Sequence, residues 1–324
     1  MARSFRSHRV LVVAATAVLT AVAACSAPSP PAVDPPSAPS GAPTTGPIAL
    51  YTLEKSEHRN PVPIVWHAES HTFFVGTFHD GSIYRGRPDD PSVRVFLEGQ
   101  PGQAASGIGL GAGRLLVAGG IYGDIRAYDL QTRERVAEFT TGSDGFLMGM
   151  HVTEAGEVWV TDAIRPMLWH LTAEQVAAGS GTPAAVPLTP EIPHVSSPDN
   201  VEGVVALSET RLVVVKFADG TLYRIDLDPQ APQGRTIIPI AGAAVPLGSR
   251  MIVDGKRLVI ADENGLSVVE LSEDASRGTV ATQVRDPSFH DTTAVARVGD
   301  RYLVVNTAWN DPPPYTISSV PVLP

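Results

Sequence analysis

Thr77-Phe-His-Asp-Gly-Ser-Ile-Tyr-Arg85 recurs further along the chain as Lys216-Phe-Ala-Asp-Gly-Thr-Leu-Tyr-Arg224. The copies share Phe, Asp, Gly, Tyr and Arg in register, and exchange Ser for Thr and Ile for Leu. Each follows a run of β-branched and aromatic residues, Phe73-Phe-Val-Gly76 in one and Leu212-Val-Val-Val215 in the other. An apolar run, Asp-Gly and a returning apolar run read as two strands around a turn, because Gly accepts the backbone that a reversal needs. A hairpin repeated this far apart predicts a repeat architecture.

The strand that precedes the turn recurs as Leu115-Leu-Val-Ala-Gly119, Val158-Trp-Val-Thr-Asp162, Leu258-Val-Ile-Ala-Asp262 and Tyr302-Leu-Val-Val-Asn306. From Phe73 through Leu115, Val158, Leu212 and Leu258 to Tyr302 the spacings are 42, 43, 54, 46 and 44 residues. Strand-built units of this length, without helical periodicity, are the pattern of propeller blades. The expected fold is all-β, a six-bladed β-propeller over residues 48–324. The long spacing has a visible cause in an insertion over 172–198. There Thr172 is placed to cap two helical turns and a Pro-rich loop follows. Ile48-Ala-Leu-Tyr-Thr-Leu53 belongs to no unit of its own and is expected to complete the last blade, closing the ring.

Residues 1–24 stand apart from this fold. Arg3, Arg6 and Arg9 precede an apolar run, Val10 to Ala21, too short to span a bilayer comfortably. It ends in Val22-Ala-Ala-Cys25, which resembles a bacterial lipobox, so a cleaved lipoprotein signal peptide and a lipidated (diacylglycerol- and palmitate-type) Cys25 are expected. An ordinary secretory signal that happens to contain Cys is the alternative. Residues 25–47 read as a disordered Pro/Ala/Ser tether. Cys25 is the single cysteine, so no disulfide forms within the chain. Loss of residues 1–24 takes the net charge from −10 to −13. That acidity excludes a nucleic-acid partner, whose phosphates require a basic face. The expectation is a monomer, anchored to the cell membrane on its extracytoplasmic face.

In a propeller, the starts of inner strands and the ends of their neighbours converge at one mouth of a central channel. The end positions are Thr77, Gly119, Asp162, Lys216, Asp262 and Asn306, and inner-strand starts add Glu202, with Asn200, His290 and Asp291 beside them. Asp162, Glu202, Lys216, Asp262 and Asn306 are therefore the candidate site residues, since charges that end apolar strands are costly unless paired or wet. Lys216 is expected to pair with an acid from another unit. The alternative is that these groups only make salt bridges and turn hydrogen bonds between blades. Gly107-Ile-Gly-Leu-Gly-Ala-Gly113 mimics a dinucleotide loop, but a strand rather than a helix follows, so a hairpin explains it better. His67 and His71 have helical ligand spacing but sit at a turn, and Trp66, Trp159, Trp169 and Trp309 read as packing aromatics.

The stretches FFVGTFHDGSIYRG, VWVTDAIRP, LVVVKFADGTLYRIDL and YLVVN resemble the gluconolactonase / senescence-marker-protein family. This six-bladed propeller superfamily also holds strictosidine-synthase-like and lactonase members, and the chain resembles a divergent bacterial lipoprotein member of it. The resemblance implies one divalent cation, usually calcium, in the channel. The family's metal positions fall here on Val62, Met148, Glu202 and Ser249. Of these only Glu202 keeps a carboxylate, so it is the one metal candidate, with Asp162 and Asp262 available to rebuild the shell and Lys216 to compete with it. Two functions are carried forward. One is a module that binds a small molecule, glycan or protein beside an eroded metal site. The other is a metal-dependent lactonase or ester hydrolase with rearranged ligands.

Overall fold

Each of the six repeated strands is apolar on both faces, and the two faces pack into different cores. In the computed structural model, which describes residues 47–323 apart from 57, 58, 229, 232 and 233, Phe73 packs with Tyr51, Leu303 and Ile317, while its neighbour Phe74 turns the other way onto Ala105, Ile108 and Leu115. Leu115 and Leu116 diverge likewise. So do Leu212 and Val213, Leu258 and Val259, and Tyr302 and Leu303. Successive strand residues point to opposite faces, so a strand sandwiched between neighbouring sheets reads as an unbroken apolar run. The described residues belong to one compact unit spanning 46–324.

Four antiparallel sheets have four strands each, ordered as in the sequence. The strand pairs that open them are Gly107–Gly111 with Arg114–Ala118, Leu147–Val152 with Val158–Asp162, Val201–Ser208 with Arg211–Lys216, and Met251–Asp254 with Arg257–Asp262. A further sheet has eight strands. In it Pro61–His67, Thr72–Thr77, Ile83–Arg87 and Asp90–Leu97 make one antiparallel set, and Thr292–Val298, Arg301–Asn306 and Thr316–Pro321 lie in the other. Leu50–Leu53 joins the two sets, antiparallel to Thr316–Pro321 with Leu50 opposite Ser318, and parallel to Asp90–Leu97 with Thr52 opposite Ser92. The N-terminal strand thus completes the last unit and also bonds the outer edge of the first. Hydrophobic clusters fill the gap between each unit and the next, including the last and the first.

The two quoted hairpins have the same register. Gly76 lies opposite Ile83 and Phe73 opposite Gly86, just as Val215 lies opposite Leu222 and Leu212 opposite Ile225. Gly81 and Gly220 both take the positive φ, 71° and 73°, that the turn requires. The reversal is longer than the two-residue turn that Asp-Gly suggests, because Phe78 and Phe217 leave the ladder before it.

Helix Ala173–Ala178 begins at Thr172, whose hydroxyl accepts from the Gln175 amide in a capping box. The insertion is not wholly outside the sheets, however: Ala184–Pro187 pairs with Met167–Leu171 as the outer strand of its unit. Ala112 and Gly113 make the hairpin turn inside the glycine-rich stretch. The expected signal peptide, Cys25 and all but the last residue of the expected tether lie outside the described residues. Among those described, no helix is long and apolar enough to cross a membrane.

Candidate functional site

A cavity of about 320 Å³ opens where the inner strands begin. Its floor comes from residues at or just before the starts of those strands, Val62, Met148, Glu202, Ser249, Arg250 and Thr293. Close approach of neighbouring inner strands sets their positions. A Cβ on Gly107 would lie 2.4 Å from the Met148 carbonyl oxygen, one on Gly149 2.2 Å from that of Glu202, and one on Gly203 2.2 Å from that of Ser249. Only glycine lets the strands converge so tightly. Hydroxyls complete the circuit: Ser106 Oγ donates to the Leu147 carbonyl and Thr161 Oγ1 to that of Glu202, both at 2.7 Å.

Arg250 dominates the floor. Its Nη1 donates to Ser249 Oγ at 2.7 Å and lies 3.5 Å from Glu202 Oε2, while Nη2 donates to the Ser106 carbonyl at 2.7 Å. Ser249 Oγ in turn donates to Glu202 Oε2 at 2.7 Å. Burial pushes the Glu202 carboxyl above its ordinary value, against the pull of Arg250 and the Ser249 hydroxyl, and nearby Asp199 pushes the same way. Burial pushes the Arg250 guanidinium down, opposed by Glu202. Each ion thus loses more to desolvation than its partner returns. Arg250 also lines a second cavity further along the inner strands, beside Trp66, Gly109, Met150 and His151. Arg250 therefore contributes to both cavities. Burial takes the His151 imidazole down to about 4, so that ring is neutral at physiological pH.

The walls are aromatic. Phe78, Phe146, Phe217 and Trp309 line the cavity, with Phe78 meeting Trp309 edge-on at 5.6 Å and Phe146 at 5.9 Å. Trp309 is 44 % exposed and so does not pack a blade. Asp199, Glu263 and Asp291 supply carboxylates.

The four positions drawn from the family resemblance, Val62, Met148, Glu202 and Ser249, do meet at this floor. The other candidates do not line it. Asp162 Oδ1 accepts from the amides of Phe146, Ile164 and Arg165, and Oδ2 from Arg165 Nε and Trp169 Nε1. Asp262 accepts from the Asn264 amide, Ser267 Oγ and Arg285 Nη2. Asn306 donates to the Ser288 carbonyl and to the hydroxyls of Thr316 and Ser318.

Lys216 corrects the expectation of a partner in another unit, since its Nζ donates to Asp219 at 2.9 Å within its own hairpin. Thr77 makes the equivalent bond to Asp80. A turn aspartate three residues away is simply nearer than any acid across a sheet gap. Asn200 ties the insertion loop through the carbonyls of Ala163, Val195 and Ser197. His290 lies in an outer depression with Asn306, and only Asp291 of the flanking residues reaches the main cavity. His67 Nδ1 bonds Ser70 while His71 packs edge-on against Trp66, so the two imidazoles do not share a ligand position.

Calcium takes six to eight oxygen ligands. Here Val62 and Met148 offer no side-chain oxygen, the Ser249 hydroxyl is committed to Glu202, and a guanidinium faces the remaining carboxylate. Among the described residues no three His, Cys, Asp or Glu side chains converge as metal ligands. This floor does not fit the ion.

No protein-family model and no curated protein sequence matches the chain. Solved structures do. The major allergen Mala s 1 of Malassezia sympodialis superposes with a TM-score of 0.62 at 12 % identity, over 84 % of this chain and 96 % of its own. A candidate gluconolactonase gives 0.61 at 13 % identity, over 86 % and 93 %. Regucalcin of Agrobacterium tumefaciens, a calcium-binding protein, gives 0.58 at 14 % identity, over 80 % and 85 %. The fold is a β-propeller. At such identities the likeness carries the fold and not the chemistry, and in this propeller the chemistry at the mouth is that of Arg250 and Glu202.

Proposed function

We propose that this chain is a six-bladed, gluconolactonase-like propeller, anchored through lipidated Cys25 on the extracytoplasmic face of the cell membrane, whose mouth binds a small molecule without a metal. The observation that carries the reading is Arg250. At the floor where the resembling enzymes gather metal ligands, a guanidinium bonds Ser249 and Ser106 and faces Glu202. The apolar wall above it makes a recess of about 320 Å³, at the small end of the range for small-molecule sites.

Calcium titration of the full chain in non-ionic detergent, by calorimetry and thermal melt, is expected to be silent. A specifically bound ion present at a hundred times its Kd would add about 2.7 kcal/mol of stability, so micromolar binding with a raised melting temperature overturns the metal-free reading. Separately, Cys25→Ala is expected to release the protein from membranes into the soluble fraction. Unchanged retention removes the lipid anchor from the proposal.

The hydrolase reading keeps one observation of its own. Ser249 donates to a carboxylate whose proton affinity burial raises, a pairing of hydroxyl and base. Ester hydrolysis that disappears in Ser249→Ala, without calcium, would establish it.

A further inference from the structure

The cavity's walls and its charge point to one class of ligand. Of the acids at its mouth, Glu202 alone has a cation beside it. Asp199 accepts from Ser197 Oγ at 2.8 Å and Asp291 from the Trp309 amide at 3.0 Å, and Glu263 is exposed. Among the described residues none of these three is ion-paired with Lys, Arg or His. They share the recess with the aromatic rings of Phe78, Phe146, Phe217 and Trp309.

We propose, building on the binding function above, that the mouth selects an organic cation: a small molecule with an ammonium or quaternary ammonium group on an apolar body. An anion finds Arg250 Nη1 and Nη2 both engaged on protein oxygens, and the unpartnered Nε of the same guanidinium buried. It would also meet three unneutralised carboxylates. A neutral apolar molecule covers the rings but takes those carboxylates out of water uncompensated, which opposes its binding. A cation gains twice. The carboxylates raise its local concentration at the mouth, and the electron-rich ring faces attract it once water has left. The same field disfavours a lactone's hydrolysis product, which is a carboxylate.

The test uses three matched probes on the full chain in non-ionic detergent: 3-phenylpropylammonium, 3-phenylpropan-1-ol and 3-phenylpropionate. Calorimetry is expected to show the ammonium bound about tenfold tighter than the alcohol, the ratio supplied by one desolvated cation–π contact, and the propionate weakest. High salt should weaken the ammonium alone, as expected for a partly exposed charge. In the triple variant Asp199→Asn, Glu263→Gln, Asp291→Asn the preference should collapse to within about threefold with the melting temperature kept. Asn holds the Asp291 position because it retains the acceptor for the Trp309 amide. Alcohol or propionate binding as tightly as the ammonium overturns the cation selectivity and leaves the binding function standing. If no probe of any charge binds, the binding function itself fails and the selectivity falls with it.

Discussion

Arg250→Met is expected to destabilise the propeller by about 3–5 kcal/mol at neutral pH, the usual cost of removing one partner of a buried ion pair. Met is close to Arg in length and leaves no large void, so the loss is electrostatic. It strands Glu202, which is 7 % exposed, beside the apolar Val62 and Met148, and it takes away the donor to the Ser106 carbonyl. The pH dependence has a definite sign. The Glu202 carboxyl is already raised by burial in the folded state, and Arg250 is the largest opposing influence. Without Arg250 it rises further. Between the unfolded value, near 4.5, and the folded one, the native state holds a proton that the unfolded chain has released. Stability therefore falls as pH rises through that window. The penalty is absent below the unfolded value and complete above the folded one. Urea unfolding of Arg250→Met is thus expected to show a much smaller deficit near pH 4.5 than near pH 8. The double variant Arg250→Met, Glu202→Met removes both ions and should recover most of the loss, because packed apolar replacements of a buried pair are often neutral or better. A single variant as stable as the parent at pH 8 would mean that the pair does not hold the floor together.

What could be read in the sequence follows the range of the forces involved. The strands were legible because burial on both faces writes an unbroken apolar run, as in Leu212-Val-Val-Val215, and the turns because Gly81 and Gly220 are needed at positive φ. Ring closure by Leu50–Leu53 followed from an apolar strand without a unit. The site was legible only in part. Val62, Met148, Glu202 and Ser249 came together because family resemblance aligned the inner-strand starts. Asp162, Lys216, Asp262 and Asn306 ended the second strands as expected, but local partners two or three residues on satisfied three of them. Asp162 takes the Arg165 amide, Asp262 the Asn264 amide, and Lys216 the Asp219 carboxylate. Short polar side chains at strand ends are ordinarily consumed in this way. The cation at the floor, Arg250, was missed because nothing in the sequence around it, just ahead of the strand Met251–Asp254, marks it. Two of the aromatic walls did leave a signal: Phe78 and Phe217 are the shared Phe of the two copies, one residue past the strand, where an apolar side chain has no sheet to pack against. Trp309 likewise follows the end of its strand.

Asp162→Ala is the substitution that would join stability to the site. The carboxylate is wholly buried and gathers three backbone amides on Oδ1 and two side-chain donors on Oδ2. Alanine orphans the amides of Phe146, Ile164 and Arg165, each costing about 1–3 kcal/mol if it stays dry. It also leaves Arg165, 13 % exposed, with only the exposed Asp144 as a counter-charge. Water entering the space offsets part of this, and a net loss of about 3–5 kcal/mol is expected. Asp162→Asn should be milder, because its amide oxygen can still serve the three backbone donors, while the charge toward Arg165 and the acceptor for Arg165 Nε and Trp169 Nε1 are lost. The order wild type, Asn, Ala in melting temperature thus separates the turn role from the charge. The consequence for the mouth comes through Phe146, whose amide Asp162 holds and whose ring lies 5.9 Å from Phe78. Under conditions where the Ala variant is still folded, it should bind 3-phenylpropylammonium more weakly than the Asn variant does, as one aromatic wall loses its anchor. Equal stability of all three proteins would show that Asp162 does not organise this turn. Equal affinity with unequal stability would show that Phe146 is held by its packing against Phe78 instead.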